Sequence, residues 1–169
     1  MKQALSRLAF VALVAVIALP NTTQAQGFKI GPHIGLNMDG SELFLGVGTQ
    51  FNLPIKTREM WGNLGLDLYP FIKNVSSTRV TANVLFPFGI GGFQLYGGGG
   101  LVAQFETYDL PEGSNSDDSD TDIGLTIKAG FLLGSSGDGY RPFLEFDQTV
   151  GAGSDFSARV GIFMAIGGR

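Results

Sequence analysis

The sequence contains a single histidine and no cysteine, so His33 is the natural starting point for any acid–base chemistry. A histidine that acts in catalysis needs a nucleophile or an acid placed beside it. No serine in the strand-like segments is evidently adjacent to His33. The parity of His33 places it inside the fold with Lys29, so we predict a hydrogen-bonding role for it there and no cofactor. The alternative is a lipid-modifying enzyme that uses His33.

Acidic residues are concentrated in one stretch, residues 106–122, which holds seven acids and no lysine or arginine. Asp118, Asp120 and Asp122 alternate as in a calcium-binding loop. The pattern departs from that loop because the glycine comes one place late, at Gly124, and Ala129 occupies the position of the final glutamate. We predict no metal centre, with these three aspartates as a weak surface candidate for divalent cations.

The remaining charges of interest lie on the polar faces of segments in which polar and apolar residues alternate. A simple hairpin after the sixth segment places Lys128 opposite Glu145, and Arg159 then lies diagonally from Glu145. A loop centred near residue 73 places Asp67 opposite Arg79. Because buried charges need partners, opposite signs at similar heights indicate a shared interior. The predicted lumen charge network consists of Lys29, His33, Asp67, Arg79, Lys128, Arg141, Glu145 and Arg159.

The elements that must carry these residues are strands, because apolar and polar residues alternate with period two from residue 28 onward. In the sixth segment Ile123, Leu125 and Ile127 lie on one face, with Thr126 and Lys128 on the other. Eight such segments are predicted: 28–36, 42–52, 61–70, 78–87, 93–105, 121–133, 140–149 and 155–166.

The breaks between segments differ in length. Residues 87–92 and 134–139 are predicted as tight glycine-rich turns, and 106–121 as a long polar loop. Outer-membrane barrels have short turns on the periplasmic side and longer loops outside. We therefore predict an all-β, eight-stranded antiparallel up-and-down transmembrane β-barrel. Its outward loops would be 37–41, 71–77, 106–121 and 148–154.

Alternation alone does not say which face points inward. A soluble periplasmic lipocalin-like barrel would enclose a hydrophobic ligand with its apolar face, and a membrane barrel inverts this arrangement. Polar-face glycines such as Gly46 and Gly161 favour a narrow lumen over a solvated surface. Aromatic residues near strand ends would form girdles at the membrane interfaces. The predicted girdle residues are Phe28, Phe51, Trp61, Phe71, Phe86, Phe88, Phe93, Phe105, Tyr108, Tyr140 and Phe156.

The N-terminus has the order of a secretory signal peptide. Lys2 and Arg7 are basic, residues 8–19 form an unbroken apolar run, and Ala25 ends a polar stretch with a small residue. The run is shorter than the roughly 20 residues that a spanning helix needs. We predict removal of residues 1–25, a mature barrel of residues 26–169, and localisation in the bacterial outer membrane.

Composition agrees with that destination. Charged residues make up 15% of the chain, below the roughly 25% of a typical soluble domain. Loss of Lys2 and Arg7 with the signal peptide changes the net charge from -4 to -6. We predict no binding to nucleic acid, which favours basic surfaces.

Residues 83–105, a strand, a turn and an aromatic, glycine-rich strand, resemble the opacity/surface-antigen family of outer-membrane barrels, as do residues 140–145. The last strand is similar to the signal read by the barrel-assembly machinery, in the residues Arg159, Gly161, Met164 and Ile166. The chain departs from the family by ending in Gly167-Gly168-Arg169 rather than in an aromatic residue.

The resemblance implies a non-enzymatic surface or structural protein, porin-like at most as a narrow pore. Its expected partners are outer-membrane lipid and lipopolysaccharide, the barrel-assembly machinery and periplasmic chaperones, and the expected state is a monomer.

Overall fold

A computed structural model describes residues 28–55, 58–70, 75–90, 93–108, 119–134, 139–151 and 154–166. These residues form eight antiparallel strands, and β1 pairs with β8 to close a barrel. The predicted eight-stranded closed barrel is confirmed. No helix in the described ranges is long and apolar enough to span a membrane. The strands are β1 (Lys29–Asn37), β2 (Glu42–Asn52), β3 (Trp61–Tyr69), β4 (Val75–Ile90), β5 (Phe93–Tyr108), β6 (Ser119–Leu133), β7 (Tyr140–Val150) and β8 (Phe156–Ala165).

Strands β4, β5 and β6 are longer than the sequence pattern predicts. The tight turn expected at 87–92 is wrong in its bounds, because β4 continues to Ile90, which pairs with Phe93. Cross-strand side-chain contacts stabilise such a ladder, and the pairing of Phe88 with Leu95 continues it through a stretch that looks like a turn by composition. At the other end β4 begins inside the predicted loop 71–77.

The long polar loop expected at 106–121 is also wrong in its bounds. Glu106 pairs with Asp120 and Thr107 with Ser119, so both ends of the predicted loop belong to the β5–β6 ladder. Backbone pairing is indifferent to the charge of side chains that point into water, which is why acidic composition did not indicate where the strands end.

The ladder that closes the barrel has one local interruption. β1 pairs with β8 from Lys29 and Ile30 to Asn37, but Gly31 and Pro32 have no partner in β8. Proline lacks the amide N–H that a ladder bond needs. Lys29 pairs with Ala165 and His33 with Gly161, so the register is the same on both sides of the gap and no extra residue is inserted.

The interior holds charged and polar side chains together with one cluster of large apolar ones, and the outer face is lined by large apolar side chains. Asp67 and Arg79 are 0% exposed, whereas Ile123 is 73% and Ile127 is 65% exposed. The outward apolar face follows from the period-two alternation of each strand. An interior of this polarity does not offer the apolar cavity that the lipocalin-like alternative requires.

Several predicted girdle aromatics lie at strand ends and face outward, among them Phe88, Phe93 and Tyr140, which are exposed. The prediction that Trp61 belongs to a girdle is wrong, because Trp61 is 3% exposed and lies inside the barrel. Its position in β3 shares the inward parity of Asn63 and Asp67. Phe71 lies outside the described residues. The girdle residues Phe28, Phe51, Phe105, Tyr108 and Phe156 are half-buried, and Phe86 is exposed.

Candidate functional site

The lumen has two levels, which we describe from the lower end, where β1 begins and β8 ends. The lower level is an apolar plug of large side chains, none more than 4% exposed. The Phe143 and Phe163 rings stack with centroids 4.5 Å apart, and the Trp61 and Tyr96 rings are tilted against each other at 5.9 Å. The plug consists of Trp61, Leu85, Tyr96, Leu132, Phe143 and Phe163.

Above the plug, Asp67 is the centre of a charged network. Its carboxylate lies 2.7 Å from His33 Nε2 and 3.1 Å from Arg159 Nη1. Arg79, its register partner across β3 and β4, places Nε 3.6 Å away. All these side chains are buried, so their mutual attraction acts in a medium of lower dielectric than water.

Arg159 joins Asp67 to two further acids. Its guanidinium contacts both oxygens of Asp147, and Nε lies 3.4 Å from Glu145 Oε1. Glu145 also accepts from Lys128 Nζ at 2.8 Å, and its other oxygen accepts from the Tyr96 hydroxyl at 2.9 Å. Each buried charge in this region therefore has a partner of opposite sign, as burial requires.

The register between β6 and β7 differs from the prediction. Lys128 is paired with Asp147, and Glu145 is paired with Gly130 and, on its other side, directly with Arg159. The predicted pairing of Lys128 opposite Glu145, with Arg159 diagonal to it, is therefore wrong. The shift is by two residues, so every side chain keeps its face, and the long lysine reaches Glu145 diagonally.

Asp155 closes the upper end of the lumen. It lies between β7 and β8, where its carboxylate accepts from Arg79 Nη1 at 3.0 Å and from Asn37 Nδ2 at 2.9 Å. Arg79 also donates to Tyr69 and to Ser157. Burial raises the pKa of the Asp155 carboxyl, an effect that neighbouring Arg79 opposes. We call Asp155, Arg79 and Asn37 the latch.

Sequence reasoning missed Asp147, Tyr69 and Asp155. Asp147 lies two residues after Glu145 on the same strand face, and Tyr69 two residues after Asp67, so parity alone could have found them. No comparable signal pointed to Asp155, because it lies outside the strands and strand parity does not apply to it.

His33 joins Asp67 to the backbone of its own strand. Its Nε2 lies 2.7 Å from an Asp67 carboxylate oxygen, and its Nδ1 lies 3.3 Å from the Gly31 carbonyl oxygen. Neither ring nitrogen points at open space where a substrate could bind.

Lys29 and Arg141 do not join this network, although both face inward as predicted. Lys29 Nζ lies 5.6 Å from the centre of the Trp61 ring, at the lower mouth. Arg141 donates to Gln94 and, at 3.0 Å, to the Gly134 carbonyl oxygen. The plug separates these two cations from the acids above it.

Two of the three aspartates named as a weak candidate for divalent cations have described positions. Asp120 and Asp122 lie in β6 and are exposed, and Asp118 lies outside the described residues. Among the residues with a described position, no group of three or more histidine or acidic side chains could hold a metal ion.

The residues of the predicted assembly signal lie at the end of the chain's last strand. Arg159, Gly161 and Met164 are in β8, and Ile166 follows it. Met164 and Ile166 are exposed on the outer face, whereas Arg159 is bound within the lumen network.

Comparisons with known proteins find no matching family model and no matching curated protein. Solved structures do match. The N-terminal β-barrel domain of Pseudomonas aeruginosa OprF is 16% identical with a TM-score of 0.63, covering 81% of this chain and 95% of that one. Ail, the attachment invasion locus protein of Yersinia pestis, is 11% identical with a TM-score of 0.55, covering 80% and 91%.

Neisserial surface protein A is 13% identical with a TM-score of 0.52, covering 82% of this chain and 94% of that chain. These neighbours are small eight-stranded outer-membrane β-barrels. At such low identity the likeness establishes the fold and nothing finer. The resemblance of this chain to the opacity/surface-antigen family is therefore supported as a kind of barrel, and no sequence family is assigned.

Proposed function

We propose that the mature chain is a non-enzymatic surface or structural barrel of the bacterial outer membrane, monomeric and with a lumen filled by its own side chains. The observation that carries this proposal is an apolar outer wall around a charged, fully buried interior. Soluble proteins have the reverse arrangement, with charges outside and apolar side chains within.

The size of the exposed apolar surface supports a lipid environment. Twenty-three large apolar side chains of the described residues are exposed. Moving one such side chain out of water is worth roughly 1.5–3 kcal/mol. A surface of this kind is far larger than the apolar patches of soluble monomers, and it surrounds the barrel rather than forming one patch.

Strand lengths fit the same environment. β1 and β3 have 9 residues and β8 has 10, close to the roughly 9–11 residues that a tilted strand needs to cross a bilayer. A closed barrel also pairs the backbone groups that lipid cannot hydrate. The predicted signal peptide of residues 1–25 would supply the export step, after which periplasmic chaperones and the barrel-assembly machinery would insert the chain among outer-membrane lipid and lipopolysaccharide.

The lumen argues for a structural role rather than for transport or catalysis. The apolar plug fills the lower level, the latch covers the upper end, and the charges between them are paired with one another. His33 has both nitrogens engaged, so it is poorly placed to accept a proton from a substrate. Any conductance would be small.

The first experiment asks where the protein resides. We would express the full-length chain in a Gram-negative host, separate inner membrane, outer membrane and periplasm, and sequence the N-terminus of the mature product. The expected result is an outer-membrane protein that begins at Gln26 and migrates differently on gels with and without heating. A soluble periplasmic protein would refute the proposal.

The second experiment asks whether the lumen is filled. Purified protein in a planar bilayer should show little or no conductance, whereas Phe143→Ala, which removes a central ring of the plug, should increase it. The control is Phe88→Ala, which removes an exposed ring outside the lumen. Large, steady conductance of the unmodified barrel would contradict a side-chain-filled lumen.

A further inference from the structure

The lower mouth of the barrel holds a cation whose charge the described residues leave largely uncompensated. Lys29 faces the lumen at the start of β1 and is half-buried. Its ammonium lies 3.4 Å from the Gln50 side-chain oxygen and 5.6 Å from the Trp61 ring centre. It forms no salt bridge with any carboxylate in the described part of the chain. Each cation of the upper network, in contrast, has at least one.

An amide donor beside Lys29 also lacks a partner. Gln50 is 1% exposed, and its oxygen accepts from Lys29, but its Nε2 group has no hydrogen-bond partner in the described structure. A buried N–H group without an acceptor costs about 1–3 kcal/mol. Gln50 and Lys29 are register partners on β2 and β1, so the two sets of donors lie side by side.

The positive charge of Arg141 acts on Lys29 more strongly than the negative charge of Glu59 does. Arg141 and Lys29 lie on the two strands that flank β8, where they pair with Phe163 and Ala165, respectively. The Glu59 carboxylate accepts a hydrogen bond from the Trp61 indole at 3.1 Å.

We propose that Lys29 Nζ and Gln50 Nε2 bind a small soluble oxyanion of the phosphate class at the lower mouth of the barrel. Such an ion offers several acceptors and no obligatory donor, which suits a site built from an ammonium and an amide N–H. The adjoining plug excludes water from one side and strengthens the attraction. Because Lys29 faces the lumen, the ion enters from water and not from the bilayer.

Trp61 is the only tryptophan in the chain, and its ring centre lies 5.6 Å from Lys29 Nζ, so its fluorescence reports on this site. Folded barrel in a neutral maltoside detergent would be titrated with sodium phosphate and, separately, with sodium chloride at equal ionic strength. The proposal expects a saturable change with phosphate that chloride does not reproduce. Equal responses to the two salts, or no response to either, would overturn it.

Two variants locate the site. Lys29→Gln should weaken phosphate binding by at least about tenfold, the effect of losing one charge-assisted hydrogen bond. Gln50→Glu keeps Lys29 and the side-chain size but supplies an internal carboxylate, so it should abolish binding even where Lys29→Gln fails to fold. Arg58→Gln, on the exposed connection at the same end, is the matched control and should bind as the unmodified protein does.

Comparing phosphate binding by the three variants distinguishes a specific site from general charge attraction. Binding that survives both lumen substitutions would refute the site. A loss in Arg58→Gln as large as that in Lys29→Gln would show general charge attraction at this end and would also refute it. Folding of each variant is checked by gel mobility before and after heating. None of these outcomes depends on where the protein resides in the cell.

Discussion

Replacing Asp67 with asparagine removes the charge that joins His33 and two arginines while leaving the side chain's shape nearly unchanged. In the folded barrel His33, Arg79 and Arg159 all face this carboxylate, and its side chain is 0% exposed. Removing one member of a buried ion pair costs about 3–5 kcal/mol, because the remaining charge stays buried without compensation. The expected cost for Asp67→Asn is about 3 kcal/mol, at the lower end of that range, because three neighbours lose a partner together while Arg79 retains Asp155 and Arg159 retains Asp147 and Glu145.

Asp147→Asn is the matched comparison in the same network. Asp147 makes its salt bridge with Arg159 alone, and that arginine retains Asp67 and Glu145. The expected cost is that of one hydrogen bond to a charged group, about 1.5–3 kcal/mol. The substitution is chemically identical to Asp67→Asn, so a difference in unfolding free energy between the variants reflects the number of partners.

The assay is reversible unfolding by urea of barrels folded in lipid vesicles. Trp61 fluorescence and the heat-dependent gel shift are followed together, and unfolding free energies are compared at equal m-values. We expect Asp67→Asn to be clearly the less stable of the two. Equal costs, or a cost for Asp67→Asn below about 1 kcal/mol, would show that Asp67 does not organise the lumen as the geometry indicates.

Three further predictions test other parts of the barrel. Ile127→Arg, in the outer apolar wall, should lower the unfolding free energy in vesicles by about 2–4 kcal/mol, and Thr121→Arg, on the same face of β6 nearer its upper end, by at most about 1 kcal/mol; equal costs would argue against a membrane band at Ile127. Gly98→Ala should destabilise by about 1–3 kcal/mol because its methyl group would collide with the Val84 carbonyl oxygen, whereas at Gly97 the nearest atom is 3.7 Å from an added Cβ and the same change should be tolerated; urea unfolding of both variants would expose any error in this packing. His33→Ala should leave the lipid A profile of expressing cells unchanged by mass spectrometry, and a changed profile relative to the unmodified protein would revive the enzymatic alternative.

The width of an eight-stranded barrel explains why its lumen holds side chains. Eight strands leave an interior just wide enough for them. In this chain an apolar plug occupies the lower level and paired ions lie above it. The proposed localisation depends on the contrast between the apolar outer wall and the charged network inside.

The amino-acid sequence by itself determined the strand count and the face on which each side chain lies. Side chains alternate strictly along a strand, so parity placed Asp67, Arg79, Lys128 and Arg159 together in one interior without knowledge of the turns. It also paired Asp67 with Arg79, because the loop between them is short and the hairpin nearly symmetric. The same parity places Trp61 inside, although its position at a strand end had indicated a girdle residue.

Only the tertiary structure decided which charges meet. The β6–β7 register differs by two residues from the simple hairpin, a shift that parity cannot detect because it preserves every face. The same limit applies to Lys29 and Arg141, which share the inward face with the network but lie at the lower mouth, beside the plug. Asp155 reaches Arg79 across 76 positions in the chain, a contact that closure of β8 onto β1 makes possible. Contacts of this kind depend on strand stagger and closure, which no local pattern of residues encodes.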